Sequence, residues 1–184
     1  MLHRATAIED FTGRTLIGRA YRYDYPSRVT DDGWATSYYE EMLKGSDSRT
    51  LTHRTTFPLT KEHSQHGGIE IGTVTFHRST AERSLMFEAR VEQGREGDAL
   101  LAAIDEWGDA SVTFDPVRTT RRATEHHGRI TQRAEIRIVE LALAPSGLGL
   151  AKGAEVLMVR SAQPAGRTPR LDEARRRRAA LLLP

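Results

Sequence analysis

KEHSQHGGIEIGTV, residues 61–74, sets His63 and His66 ahead of two glycines and a strand-like run. An imidazole titrates near neutral pH, so it can take a proton from a serine and return it to a leaving amine. A serine hydroxyl is a weak nucleophile until such a base lies within hydrogen-bond reach. A third group commonly fixes the imidazole tautomer and steadies its charge. The candidate serine is Ser111, in DASVTFDP, residues 109–116. Strand alternation there puts Ser111 and Thr113 on one face, Val112 and Phe114 on the other. A helix, Gly108 and then a serine opening a strand would mount a nucleophile rigidly, although an ordinary strand serine has the same pattern. The candidate acid is Glu140. Ile130, Ala134, Ile136 and Ile138 share an inward phase that Glu140 continues, and a buried acid is costly unless it is paired. The apolar phase then moves to Val139, Leu141 and Leu143, so a bulge near Glu140 would turn it outward instead. His63, Ser111 and Glu140 supply the types for base, nucleophile and acid, but spacing does not bring them together.

Other chemistry is less well served. A metal site would use His63 and His66, with His126, His127 or Glu62. That spacing is loose, sits beside Gly67-Gly68 rather than on a helix, and contains no HExxH pattern. No metal or other cofactor is expected. The chain has no cysteine, which excludes disulfides, thiolate zinc sites and a cysteine nucleophile. His126-His127 falls in a polar loop. Arg118, Arg121 and Arg122 are available to an anion or simply to solvent.

The elements that must position these groups read mainly as strands: residues 15–24, 49–60, 69–77, 84–92, 109–116 and 128–145. In 84–92, Leu85, Phe87, Ala89 and Val91 alternate with Met86, Glu88, Arg90 and Glu92, a pattern of one buried face. Residues 31–45 combine a turn at Asp32-Gly33 with a helical segment in which Tyr38, Met42 and Leu43 share a face. EGDALLAAIDEW, residues 96–107, is the strongest helix, with Leu100, Ala103, Ile104 and Trp107 in phase and Asp98 as N-cap. This order predicts an α+β protein built on a mainly antiparallel β-barrel with helices packed around it.

The 184 residues are 38% hydrophobic and carry a net charge of +2. That is enough apolar content for a core, with no general basic bias toward nucleic acid. No apolar run approaches the roughly 20 residues of a membrane helix, and MLHRATAIEDFTGRTLIG lacks the apolar core of a signal peptide. A soluble intracellular protein is expected, with a domain over 1–160 and a basic tail over 161–184, where SAQPAGRTPRLDEARRRRAALLLP changes the composition.

The segments IGRAYRYDYPSRV, YYEEMLKG, the histidine stretch leading into IGTVTF, SLMFEARV, a helix, a serine strand and VELALAP follow in that order. The order resembles the HK97-like prohead (capsid maturation) protease family of tailed bacteriophages over about residues 15–160. Glu62-His63-Ser64 matches the family's "N-H-D", Ser111-Val112-Thr113-Phe114 its "S-x-x-F", and Ile138–Pro145 its "L-x-E-V-S-L-V-x-x-P-A". Ser64 replaces an aspartate and Ala142 a serine, and Asp109-Ala110 replaces a more glycine-like turn. The resemblance implies His63 as base, Ser111 as nucleophile and Glu140 as third member, with His66 an alternative because the fold-related herpesvirus assemblins use a second histidine. It further implies an assemblin-like barrel and a serine endopeptidase working inside an immature capsid in the host cytoplasm. Its substrates would be the major capsid protein's scaffolding segment or a scaffold protein, and itself, so the tail would be a flexible or self-cleaved segment. A homo-oligomer is compatible with the family; a membrane or specific nucleic-acid partner is not expected. A non-catalytic capsid-assembly factor on the same scaffold is the alternative.

Overall fold

A computed structural model describes residues 2–30, 37–104, 106–107 and 109–145, with 2–12 and 30 described by backbone alone. The Asp32-Gly33 turn, Gly108 and the basic tail lie outside the described residues. Among the described residues, nine strands form one sheet: β1 (Leu2–Thr12), β2 (Thr15–Arg22), β3 (Ser27–Thr30), β4 (Ser37–Met42), β5 (Phe57–Lys61), β6 (Ile69–Ser79), β7 (Ser84–Val91), β8 (Asp109–Thr124) and β9 (Gly128–Ala144). Among the described residues, two short α-helices accompany them, α1 (Ser48–His53) and α2 (Arg95–Ala102).

The spatial order is β3-β4-β9-β5-β6-β7-β2-β1-β8, and β8 also pairs with β9. The second pairing joins the ends of the run from β9 to β8, so seven strands make a hydrogen-bonded circuit around a curled, barrel-like sheet. Most neighbours are antiparallel, but β9 runs parallel to both β4 and β5. The β-rich α+β reading therefore holds. The interior is the apolar phase of the strands: Leu16, Phe57, Leu59, Leu85, Phe87, Ala89, Val91, Val112, Phe114, Ile136, Ile138, Leu141 and Leu143 are buried together. Full burial of each large side chain contributes roughly 1.5–3 kcal/mol.

Several elements depart from expectation. Residues 37–42 are a strand, not a helix, because they pair with β9 through Tyr39 opposite Ile130 and Met42 opposite Arg133. Residues 48–53 are helical although read as strand. α2 stops at Ala102, and its N-cap is Gly94 rather than Asp98. Ile104 and Trp107 still pack on the core from beyond its end. Pro116 does not end β8. The strand continues to Thr124 against β9, shifting register beside the proline, so the segment carrying Arg118, Arg121 and Arg122 is one arm of a long hairpin.

Candidate functional site

The site is built where β8, β9 and the exit of β5 meet. Thr113 of β8 lies opposite Glu140 of β9, and Ser111 opposite Ala142. The next pair along is Phe114 with Ile138, so Val139 is an extra residue in β9. This bulge reconciles the two apolar phases. Ile136 and Ile138 face the interior before it, Leu141 and Leu143 after it. Glu140 is thereby turned off the interior face, as the bulge reading required. It is not released to solvent, for it is only 3% exposed.

The loop after β5 covers it. Lys61 pairs with Leu143, and the Glu62 N–H donates to the Leu143 carbonyl at 2.9 Å. Glu62 then takes a left-handed backbone, φ 61°, and the chain turns back over β9. His63 caps a 3-10 turn, Ser64–His66. Its carbonyl accepts from the N–H groups of His66 at 2.8 Å and Gly68 at 3.0 Å. Gly67 closes the turn at φ 84°. A Cβ on Gly68 would overlap the Glu62 carbonyl and lie 2.7 Å from the His63 carbonyl carbon. The two glycines are thus the means by which His63 is held over the sheet.

Glu140 Oε1 stands 3.3 Å from His63 Nδ1 and accepts from the Ser64 N–H at 3.1 Å and the Thr113 hydroxyl at 3.1 Å. Thr113 Oγ1 is also 2.8 Å from Nδ1. Burial pushes the Glu140 carboxyl up, but the hydrogen bonds from His63, Ser64 and Thr113 outweigh it and hold the group at about 2. The carboxylate is therefore ionised at neutral pH, next to an imidazole that is 14% exposed.

Ser111 is 5% exposed and shares the outer face of β8 with Thr113, two residues or about 7 Å along the strand. Among the described residues, no hydrogen bond joins Ser111 Oγ to His63. The structure thus unites His63 with Glu140 and brings Ser111 to the neighbouring position of the same face. The ring centroid of His66 is 6.4 Å from that of His63, and the carboxylate, not His66, meets Nδ1. His126 and His127 are exposed at the far tip of the β8–β9 hairpin, where His127 stacks on Tyr39. Arg122 pairs with Glu41. Among the described residues, no group of three potential metal ligands gathers, and no helix is long and apolar enough to cross a membrane.

The outer face continues from Thr113 and Glu140 to an Asp115–Arg137 ion pair. Asp115 and Arg137 also line a groove of about 810 Å³, together with Arg49, His53 and Arg54 of α1 and its exit and with Val117 and Val139. A searched comparison with protein-family models, curated proteins and solved structures found no match to this chain.

Proposed function

We propose that the chain is a serine endopeptidase of the prohead-maturation type, with Ser111 as nucleophile, His63 as general base and Glu140 as the acid behind it. The observation that carries this reading is the ionised Glu140 carboxylate against His63 Nδ1, on the strand face that also bears Ser111. Ser111 Oγ attacks the scissile carbonyl while His63 Nε2 takes its proton. The imidazolium returns that proton to the leaving amine, stabilised throughout by Glu140. The gap between Ser111 and the imidazole closes by side-chain rotation and loop adjustment when substrate binds, as loose unliganded catalytic contacts often do. The groove beside the site offers room for an extended peptide. The strand circuit is compatible with an assemblin-like barrel. The sequence resemblance points to a scaffold protein, the scaffolding segment of a capsid protein and the chain itself as substrates, inside an immature capsid.

The test incubates purified wild type and Ser111→Ala with a scaffold-bearing capsid protein and follows products by gel and mass spectrometry. Cleavage is expected to fall by several orders of magnitude in the variant with its circular dichroism unchanged. Equal cleavage by both proteins removes the mechanism. A second reading, a non-catalytic assembly factor, is favoured by the burial of Ser111 and the absence of its bond to His63. It predicts that Ser111→Ala supports capsid assembly and maturation fully.

A further inference from the structure

We propose that the outer edge of β8 beyond Pro116 is a docking edge that takes an extended acidic segment of another protein as an added strand. This goes beyond the peptidase reading and uses none of its residues. β1 pairs with β8 only as far as Phe114. Past that point, among the described residues, β8 has β9 on one side and no strand on the other. Residues 116–123 are all exposed. Along such an edge alternate residues turn unpaired N–H and C=O groups outward, a template for a further strand. Pro116 has no N–H to offer and sits beside a register shift, where a strand tolerates proline. The free edge therefore runs over residues 117–124.

Charge selects the occupant. Residues 116–134 hold five arginines and one acid, Glu125. Arg122 is held by Glu41 at 3.2 Å and Arg133 by Glu40 at 2.6 Å. Among the described residues, Arg118, Arg121 and Arg129 make no ion pair or hydrogen bond. Arg118 stands opposite Glu135, but that carboxylate pairs with Arg49 at 3.5 Å instead. Strand alternation puts Arg118 and Arg121 on opposite faces of β8. Arg129 shares the Arg121 face, because Thr131 is opposite Arg121 and Ala123 is opposite Arg129. An added strand alternates its own side chains between the two faces, so an acid on either one meets an arginine. Val117, 55% exposed, gives it an apolar contact at the start of the edge. A second copy pairing edge to edge would set arginine against arginine, which destabilises a strand pair. A nucleic acid lying on one face would reach only part of the set.

The test titrates the full chain into a fluorescein-labelled peptide of Glu-Val-Thr repeats and follows polarisation. A peptide of Glu-Pro-Thr repeats has the same charge but lacks the N–H groups to pair as a strand. Amide exchange is measured on the same complex. The expected results are saturable binding of the first peptide, new protection of amides within residues 117–124 and much weaker binding of the proline peptide. Arg118→Glu combined with Arg121→Glu should keep the melting temperature, since neither side chain has a partner to lose. It should weaken binding about tenfold, as two reversed surface charges would. No binding by wild type, equal binding of the proline peptide, or unchanged affinity in the doubly reversed variant each overturns the proposal. So does a mixed-sequence DNA duplex that binds more tightly and displaces the peptide, or a homodimer in sedimentation whose contact protects the same amides. Ser111→Ala should leave every one of these readouts unchanged, so failure here and failure of the peptidase reading are separate results.

Discussion

At the scale of single residues, the balance around Glu140 decides what the site can do. Water is largely excluded from the carboxyl, which by itself would favour the neutral acid. Three donors reverse that preference. The folded value of about 2 lies below the ordinary 4.5, so folding is stabilised by the ionised form. That contribution is complete above pH 4.5 and is lost as the pH falls toward 2. Its size is on the order of 3 kcal/mol. Urea unfolding of wild type and Glu140→Gln as a function of pH should show it. The wild type loses this increment between pH 4.5 and 2, the glutamine variant does not, and parallel curves across that window would contradict the assignment. Much of this site is visible in the residues themselves. The broken apolar phase around Val139 and Glu140 announces a bulge, and the alternation in Ser111–Phe114 assigns faces. What local pattern does not show is that Thr113 and Glu140 are cross-strand partners, because that depends on register between segments 27 residues apart.

At the scale of elements, the His63 loop shows how backbone geometry places a side chain. Glu62 and Gly67 both take left-handed conformations, and Gly68 lets the chain close on the Glu62 carbonyl. Gly68→Ala forces that closure open. The expected result is a displaced His63, a fall in reactivity of Ser111 of about a hundredfold or more, as misplacement near 1 Å can produce, and only a modest drop in melting temperature. Labelling with a fluorophosphonate probe, with calorimetry on the same samples, checks both halves. An alanine variant that labels at the wild-type rate would show that the loop does not set the histidine. Two of the elements misread from sequence share one cause. Tyr38, Met42 and Leu43 carry helical spacing, yet residues 37–42 extend because β9 offers them a parallel partner. Their acids are then met by cations: Glu40 by Arg133 at 2.6 Å and Glu41 by Arg122 at 3.2 Å. The same partner carries β8 through Pro116. Long-range pairing overrides local preference in both cases.

At the scale of the molecule, the strand circuit draws together segments distant in sequence, and its stability depends on polar ties as well as the apolar interior. Asp47 is the clearest of these. It is completely buried at the entry to α1, accepts hydrogen bonds from the Tyr21 hydroxyl at 2.8 Å and the Tyr23 hydroxyl, and pairs with Arg78 Nε at 2.8 Å. One carboxylate thus ties β2 and β6 to the helix that closes over β9, where the Ile136 N–H donates to the Ser46 carbonyl at 2.9 Å. Burial, then the neighbouring carboxylate, pushes the Tyr21 phenol well up, so both hydroxyls remain donors across the accessible pH range. Asp47→Ala leaves two buried phenol groups without their shared acceptor and the half-exposed Arg78 without its anion. Removing one partner of such a buried set costs about 3–5 kcal/mol, which for a domain of this size lowers the melting temperature by roughly 10 °C. Asp47→Asn keeps the shape and one acceptor and should recover part of the loss. The pH signature of Glu140 should survive in both variants, because the two clusters share no residue. A melting temperature within a degree of wild type for Asp47→Ala would show that the apolar interior alone holds the sheet closed.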